Sequence, residues 1–471
     1  RFKNLGIKNI FDFFKDTGEI TPLNKQTWFF IDSDLKADDN AEHFYRYVMN
    51  NTEMRKDQLL FGLNSTSHDW DRLKAEGFNL VDVQGPDANT ALKASDKILS
   101  SNASDYIMYF DGRNSLLNKN FVFLQHGVIH NDLSKWLKAK NFDFFLTSTV
   151  DEYHSISGDI SHYFFTDREV KLTGQPRYDS LLAGNDTQKQ ILIMPTWRKD
   201  IVGSLVSGKT AEREFNPNFM QTEYAQRWQS LLNNKKLKKL SLLYGYKIVY
   251  FPHANVQIYS HLFDIPDHIE VVTHATSSIQ PLFQKSAFMV TDYSSVAFEM
   301  AFLNKQVFYY QFDEKEFLSG AHTSKPNYFI YREHGFGPVV NEEDALLAEL
   351  EKVLKNEGKP IEPYLTRMQN TFIYRDTNNC QRVYEAILDL DRPDTSVTSV
   401  EKIMEYAEKA ITHAAWDLAL ERIGNALQHS DITQAQVKKI IQIKESVLQT
   451  GYQNEPVKLS NILWQEDRAE E

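Results

Sequence analysis

The chain has 471 residues, too many for one ordinary hydrophobic core, so more than one domain is expected. Hydrophobic residues make up 42% and charged residues 25%, a balance that excludes a disordered chain. A net charge of −12 excludes broad electrostatic binding of nucleic acid, which runs on clustered Lys and Arg, while leaving room for one basic cleft around a phosphorylated ligand.

The chain begins Arg1-Phe2-Lys3-Asn4, with no initiator Met and no signal-peptide pattern, and reads as trimmed. Residues 1–25 are expected to hold a helix: Lys3, Lys8 and Lys15 interleave with Leu5, Ile7, Ile10, Phe11, Phe13 and Phe14. Packing of that helix on its own domain is the expectation, and peripheral contact with a membrane surface is the alternative. No run of about 18 apolar residues occurs, so no membrane-spanning helix is expected. Cys380 is the single cysteine, which rules out an internal disulfide framework and fits a cytoplasmic setting.

From Gln26 to about Ala183, short apolar runs alternate with helix-like stretches. Thr27–Ile31, Leu59–Phe61, Leu80–Val83, Tyr106–Phe110, Phe121–Leu124 and Phe142–Thr147 read as buried strands, with helices over Asp39–Asn50 and Trp70–Glu76. That alternation predicts a parallel sheet covered by helices, a Rossmann-like domain over 26–184. A polar linker over Ala183–Gln188 follows. The pattern then restarts for a second such domain over 188–390. Its strands are expected at Ile191–Met194, Lys247–Phe251, Glu270–Val272, Phe288–Thr291 and Gln306–Tyr310, with helices over Gln221–Asn233 and Ser295–Leu303. Two α/β domains facing a cleft should bind ligand at the carboxyl ends of their strands. Beyond a hinge near Asp389–Thr398, residues 395–471 read as a helical appendage over Val400–His413, Ala415–Gln428 and Gln434–Gln449, loosely like a tetratricopeptide unit.

Gly203-Ser204-Leu205-Val206-Ser207-Gly208-Lys209-Thr210 matches the phosphate-loop pattern, which would point to an NTPase. Arg198-Lys199-Asp200 interrupts the strand that should feed such a loop, and Pro217 spoils the helix that should follow. A flexible basic loop near the cleft is the better reading.

Four strand ends carry chemistry. Phe123-Leu124-Gln125-His126-Gly127 ends a strand in an imidazole, which can take a proton from a hydroxyl nucleophile near neutral pH, and His130 stands four residues on. Pro195-Thr196-Trp197-Arg198 offers Arg198 as a phosphate clamp. Pro252-His253 ends a third strand in a second imidazole. Thr291-Asp292-Tyr293-Ser294-Ser295 closes the fourth, with two hydroxyls beside a helix start, a natural anion pocket. There is no metal-ligand spacing of Asp, His or Cys, so diphosphate charge is assigned to Arg198, His253 and helix N–H groups, and no cofactor is implied.

These motifs, together with Ala37-Asp38-Asp39-Asn40-Ala41-Glu42, Gly174-Gln175-Pro176-Arg177-Tyr178-Asp179 and Phe372-Ile373-Tyr374-Arg375-Asp376 with Arg382, resemble the CDP-glycerol glycerophosphotransferase family of teichoic acid and capsule polymerases over most of residues 26–390. The resemblance implies a GT-B-like fold and transfer of glycerol phosphate or ribitol phosphate from CDP-glycerol or CDP-ribitol to a hydroxyl of a growing phosphate-containing polymer, with release of CMP. It implies His126 as general base with His253 as a second catalytic imidazole. Arg198, Thr196, Thr291, Asp292, Ser294, Ser295, Glu299 and Arg382 fall on the donor side, with Glu299 reaching for the ribose. Gly127, His130 and Asn40 fall on the acceptor side. The sequence departs from the family's usual Thr-Pro after His-Gly, having Val128-Ile129-His130 instead, which leaves the acceptor open. The rival readings are a GT-B hexosyltransferase and a non-catalytic assembly module. Homo-oligomerisation and contact with the inner face of the plasma membrane stay open.

Overall fold

The structure, a computed structural model, describes residues 26–451 apart from 114, 117–118, 139, 160, 205–212, 274–276, 318–324, 392–398, 413 and 430–431. The helix expected in 1–25 and most of the phosphate-loop match lie outside the described residues.

Strands β1 (Trp28–Ile31), β2 (Leu59–Leu63), β3 (Leu80–Asp82), β4 (Lys97–Ser100), β6 (Asn120–Phe123), β7 (Phe144–Thr147) and β8 (Val170–Leu172) form one parallel sheet in the order 3-2-1-4-6-7-8. A short strand β5 (Phe110–Arg113) stands outside it. A parallel sheet is covered on both faces, which is why β1 reads Trp-Phe-Phe-Ile without a polar break. Its side chains alternate: Trp28 and Phe30 join one core with Phe44 and Tyr45, while Phe29 and Ile31 join the other with Phe121 and Phe145.

The second sheet takes β9 (Gln190–Ile193), β10 (Lys247–Tyr250), β11 (Ile269–Val271), β12 (Phe288–Thr291), β13 (Val307–Tyr310) and β14 (Val339–Val340) in the parallel order 11-10-9-12-13-14. Each sheet reverses its strand order once, beside β1 and beside β9. Crevices open at such reversals, and both open toward each other here. The helices that matter for the site are α1 (Asn40–Asn51), α2 (Val150–Ser157), α3 (Arg177–Ala183), α4 (Ala297–Phe302) and α5 (Asn379–Leu388).

Three elements differ from the sequence reading. Tyr106–Phe110 is not a sheet strand: Asp105–Met108 forms one helical turn that tucks Ile107 and Met108 into the core. The strand next to β1 is instead Lys97–Ser100, short and headed by a lysine that stays buried because its Nζ pairs with Asp391. Helix α5, expected with the second domain, returns to the first, where Cys380, Val383 and Ile387 pack beside Trp28. Gly174, at φ 78°, permits that docking, since a side chain there would collide with Asn379.

The C-terminal helices α6 (Val400–Thr412), α7 (Trp416–Leu427) and α8 (Gln434–Gly451) build their own core from Ala407, Ala410, Ala419, Ile423 and Ile440. Lys409 reaches Asp159 of the first half at 3.7 Å. Among the described residues no helix is long and apolar enough to cross a membrane.

Candidate active site

A cleft of 570 Å³ lies between the carboxyl ends of the two sheets. Its first-domain wall includes Asp32, Lys36, Asp39, Arg72 and His126, its opposite wall His253, Ser278, Ser294, Ser295 and Glu299, and Arg177 lies between them.

His126 follows β6 on a tight turn. Gln125 before it sits at φ 61°, a left-handed conformation that turns the chain out of the sheet and leaves the imidazole about 78% exposed. Asn40, fully buried at the start of α1, holds this turn: its Nδ2 donates to the carbonyls of Leu124 at 3.1 Å and Gln125 at 2.9 Å. Asp39, the N-cap of α1, meets His126 Nδ1 with one oxygen, and the Arg177 guanidinium and the Asn40 amide with the other. Burial alone would push the Asp39 carboxyl up, but Arg177 and His126 outweigh it and hold the group at about 2. An ionised carboxylate only accepts, so Nδ1 of the neutral ring carries the proton and Nε2 keeps its lone pair. That is the tautomer a general base needs.

Arg177 also donates to the His126 carbonyl at 2.9 Å and to Glu299 on the opposite domain. Burial opposes its charge, yet the flanking Asp39 and Glu299 raise its pKa above the ordinary arginine value. His126, Asp39, Arg177 and Glu299 thus form one hydrogen-bonded chain across the domain seam. A second link runs from Asp38, which accepts from Ser278 Oγ and from the Ile279 amide at 3.3 Å.

On the far wall β12 ends at Thr291, whose hydroxyl donates to the Met194 carbonyl at 2.7 Å. Helix α4 begins at Ala297, so Ser294 and Ser295 occupy the turn before it, and both line the cleft. Gly127 faces them: a Cβ there would stand 3.3 Å from Ser295 Oγ. His253 caps a short helix, accepting the Asn255 amide on Nδ1 at 3.2 Å, and stacks on Trp197 with ring centroids 6.0 Å apart. In the neutral ring its proton is therefore on Nε2, a donor, opposite to His126.

A family described as CDP-glycerol:poly(glycerophosphate) glycerophosphotransferase matches residues 17–389. The chain belongs to that family. It is 36% identical over 377 residues to the minor teichoic acid biosynthesis protein GgaB of Bacillus subtilis (strain 168), an alignment covering 78% of this chain and 40% of that relative. The chain therefore spans less than half the length of that relative. The fold is shared with the wall teichoic acid polymerase TagF, at TM-score 0.53 and 16% identity over 78% of this chain and 89% of that one. A variant of TagF soaked with CDPG matches at TM-score 0.54 and 15% identity, covering 81% and 93% of the two chains. This glycerophosphotransferase family member thus has the two Rossmann-like domains read from its alternating pattern, in the GT-B-like arrangement that the resemblance implied.

Of the site residues expected from the sequence, the cleft gathers His126, Gly127's turn, His253, Ser294, Ser295 and Glu299. Several others stand behind it. Arg198 is 2% exposed; it pairs with Asp292 at 2.9 Å and Asp313 at 2.7 Å, donates to the Thr196 and Trp197 carbonyls, and lies over Tyr293 and Phe317. Its donors are spent within its own domain, so it braces the Ser294–Ser295 turn instead of clamping a phosphate. Asp292 and Thr196 belong to the same brace, the Asp292 carboxylate accepting the Thr196 amide at 2.8 Å. His130 is buried among Phe298, Phe329 and Tyr331 and does not line the cleft, and burial lowers its pKa to about 4, so it stays neutral. Asn40 is fully buried as a clamp on the His126 turn and does not line the cleft. Arg382 donates to the Thr173 carbonyl at 2.9 Å and pairs with Asp376, anchoring α5, and does not line the cleft. In the sequence Asp39 and Arg177 stand only as parts of motifs; what singles them out is burial of a charge, which one sequence does not display.

Proposed function

We propose that this chain transfers a polyol phosphate, glycerol phosphate or ribitol phosphate, from its CDP ester to a hydroxyl of a growing teichoic acid-type polymer and releases CMP. The observation that carries this reading is the His126–Asp39 pair, an exposed imidazole with its Nε2 lone pair available, set across the seam from the Ser294–Ser295 turn and the Nε2–H of His253. The acceptor oxygen forms a bond to the phosphorus that bears the polyol as its proton passes to His126 Nε2. The phosphorus–oxygen bond to CMP breaks, and the electron pair leaves with CMP. Asp39 stabilises the imidazolium so formed.

Positioning and charge neutralisation do most of the work in phosphoryl transfer. His253, the two serine hydroxyls and Lys36, which has no ion pair among the described residues, are the groups that would meet the diphosphate. Membership of a CDP-glycerol-dependent family and the CDPG soak of TagF support a CDP-linked donor. A cytoplasmic setting, with the polymer presented at the inner face of the membrane, goes with this reading. The test is CMP release from CDP-glycerol and CDP-ribitol in the presence of a primed acceptor. His126→Ala, with an unchanged circular dichroism spectrum, is expected to lose about 10²- to 10⁴-fold in kcat. Full turnover in that variant would remove His126 as the base.

A further inference from the structure

Behind the His126 turn lies a carboxylate with no part in the chemistry above. Glu152, on the first turn of α2, is fully buried. Its Oε1 accepts from the Ile129 amide at 2.6 Å and from Gln125 Nε2 at 3.1 Å, and its Oε2 accepts from the Ser148 amide at 2.7 Å. Gln125 immediately precedes His126, and Ile129 follows three residues later. One buried carboxylate therefore grips the loop on both sides of the imidazole and ties it to the end of β7. The arrangement needs an acceptor on every side, because three N–H groups converge on it and a protonated carboxyl or an amide would turn a donor toward one of them.

We propose that Glu152 is a positioning residue for His126, its ionised carboxylate fixing where the Gln125–Ile129 turn holds the imidazole against the cleft. The inference rests on the reading of His126 as the base. The groups around Glu152 are Tyr163, Tyr178 and Tyr328, each pushed up by burial and neutral, with Asp151 beside Tyr328. No cation is ion-paired to it among the described residues. Desolvation therefore raises the Glu152 carboxyl to about 7, against the lowering effect of the Ser148, Ile129 and Thr149 backbone and the Gln125 side chain. The sign follows: as pH falls through 7 the carboxyl takes a proton, one of the three donors loses its acceptor, and the grip on the His126 turn loosens.

The test compares the wild-type chain with Glu152→Gln across pH 5.5–8.5. One readout is CMP release from CDP-glycerol with a primed acceptor, and the other is the His126 Cε1–H resonance in the same proteins. The expected result is a kcat about 10- to 100-fold lower, a KM for the donor within about twofold, and a displaced His126 resonance. The acid-side loss of activity should also flatten relative to wild type. Unchanged kcat together with an unmoved resonance would overturn the proposal. Should Glu152→Gln not fold, Gln125→Asn decides: Asn tolerates the left-handed backbone but is one methylene too short to reach Glu152. There a kcat fall with a moved resonance upholds the proposal, and no change in either overturns it. A moved resonance in a protein whose His126→Ala variant keeps full turnover upholds the positioning and removes the base assignment, so the two failures are distinguishable.

Discussion

Asp39→Asn isolates the electrostatics of the site in one atom pair. Asp39 uses one oxygen for Arg177 and the Asn40 amide and the other for His126 Nδ1. An asparagine has a single acceptor oxygen, which Arg177 and the Asn40 amide claim, leaving its NH₂ facing Nδ1. The ring must then carry its proton on Nε2, and the lone pair that the proposed base requires is lost. A carboxyl held at about 2 instead of its ordinary 3.8 contributes on the order of 2–3 kcal/mol to the folded state at neutral pH. Because the folded-state pKa is depressed, that contribution is present above pH 3.8 and fades as pH falls through about 2. Arg177 keeps Glu299, so the seam should not come apart. Urea denaturation at pH 7 should therefore show the variant less stable by about 2–3 kcal/mol, the gap narrowing below pH 4. At pH 7 CMP release should fall by about 10²- to 10⁴-fold in kcat with little change in donor KM. A folded Asp39→Asn protein with kcat within about threefold of wild type would refute the tautomer argument.

Arg198→Lys should cost about 3 kcal/mol or more of stability, since a lysine cannot satisfy Asp292 and Asp313 together in a buried site, while leaving donor KM nearly unchanged. A raised KM at unchanged stability would restore Arg198 as a phosphate clamp. Gly127→Ala should lower kcat by roughly tenfold because its Cβ meets Ser295 Oγ across the seam, and Ser295→Ala in the same chain should recover part of that loss. Strict additivity of the two substitutions in a double-mutant cycle would show that the turns do not touch.

Most of the scaffold was legible because it follows from period and composition. Strands buried on both faces must be apolar throughout, and Trp28–Ile31 or Phe288–Thr291 announce themselves that way. Lys97–Ser100 did not, since a lysine at a strand start reads as surface until Asp391, nearly three hundred residues on, is known to neutralise it. The cleft was legible where a residue's place at a strand end brings it there, as with His126, His253 and the Ser294–Ser295 turn, all of which line it. It was misleading where a charged residue is consumed by partners on other elements, as with Arg198 beyond β9 and Arg382 within α5.

Sequence alone thus determined that two parallel α/β halves face each other and which strand ends supply an imidazole or a hydroxyl, because apolar periodicity and turn chemistry are local properties. Tertiary structure decided the protonation pattern and the division of labour: which oxygen of Asp39 meets His126, why Arg177 bridges the halves, why His130 stays neutral. Those outcomes depend on burial and on partners distant along the chain. Desolvation and Coulomb energy are set by the neighbours the fold assembles, and a linear string carries no record of them.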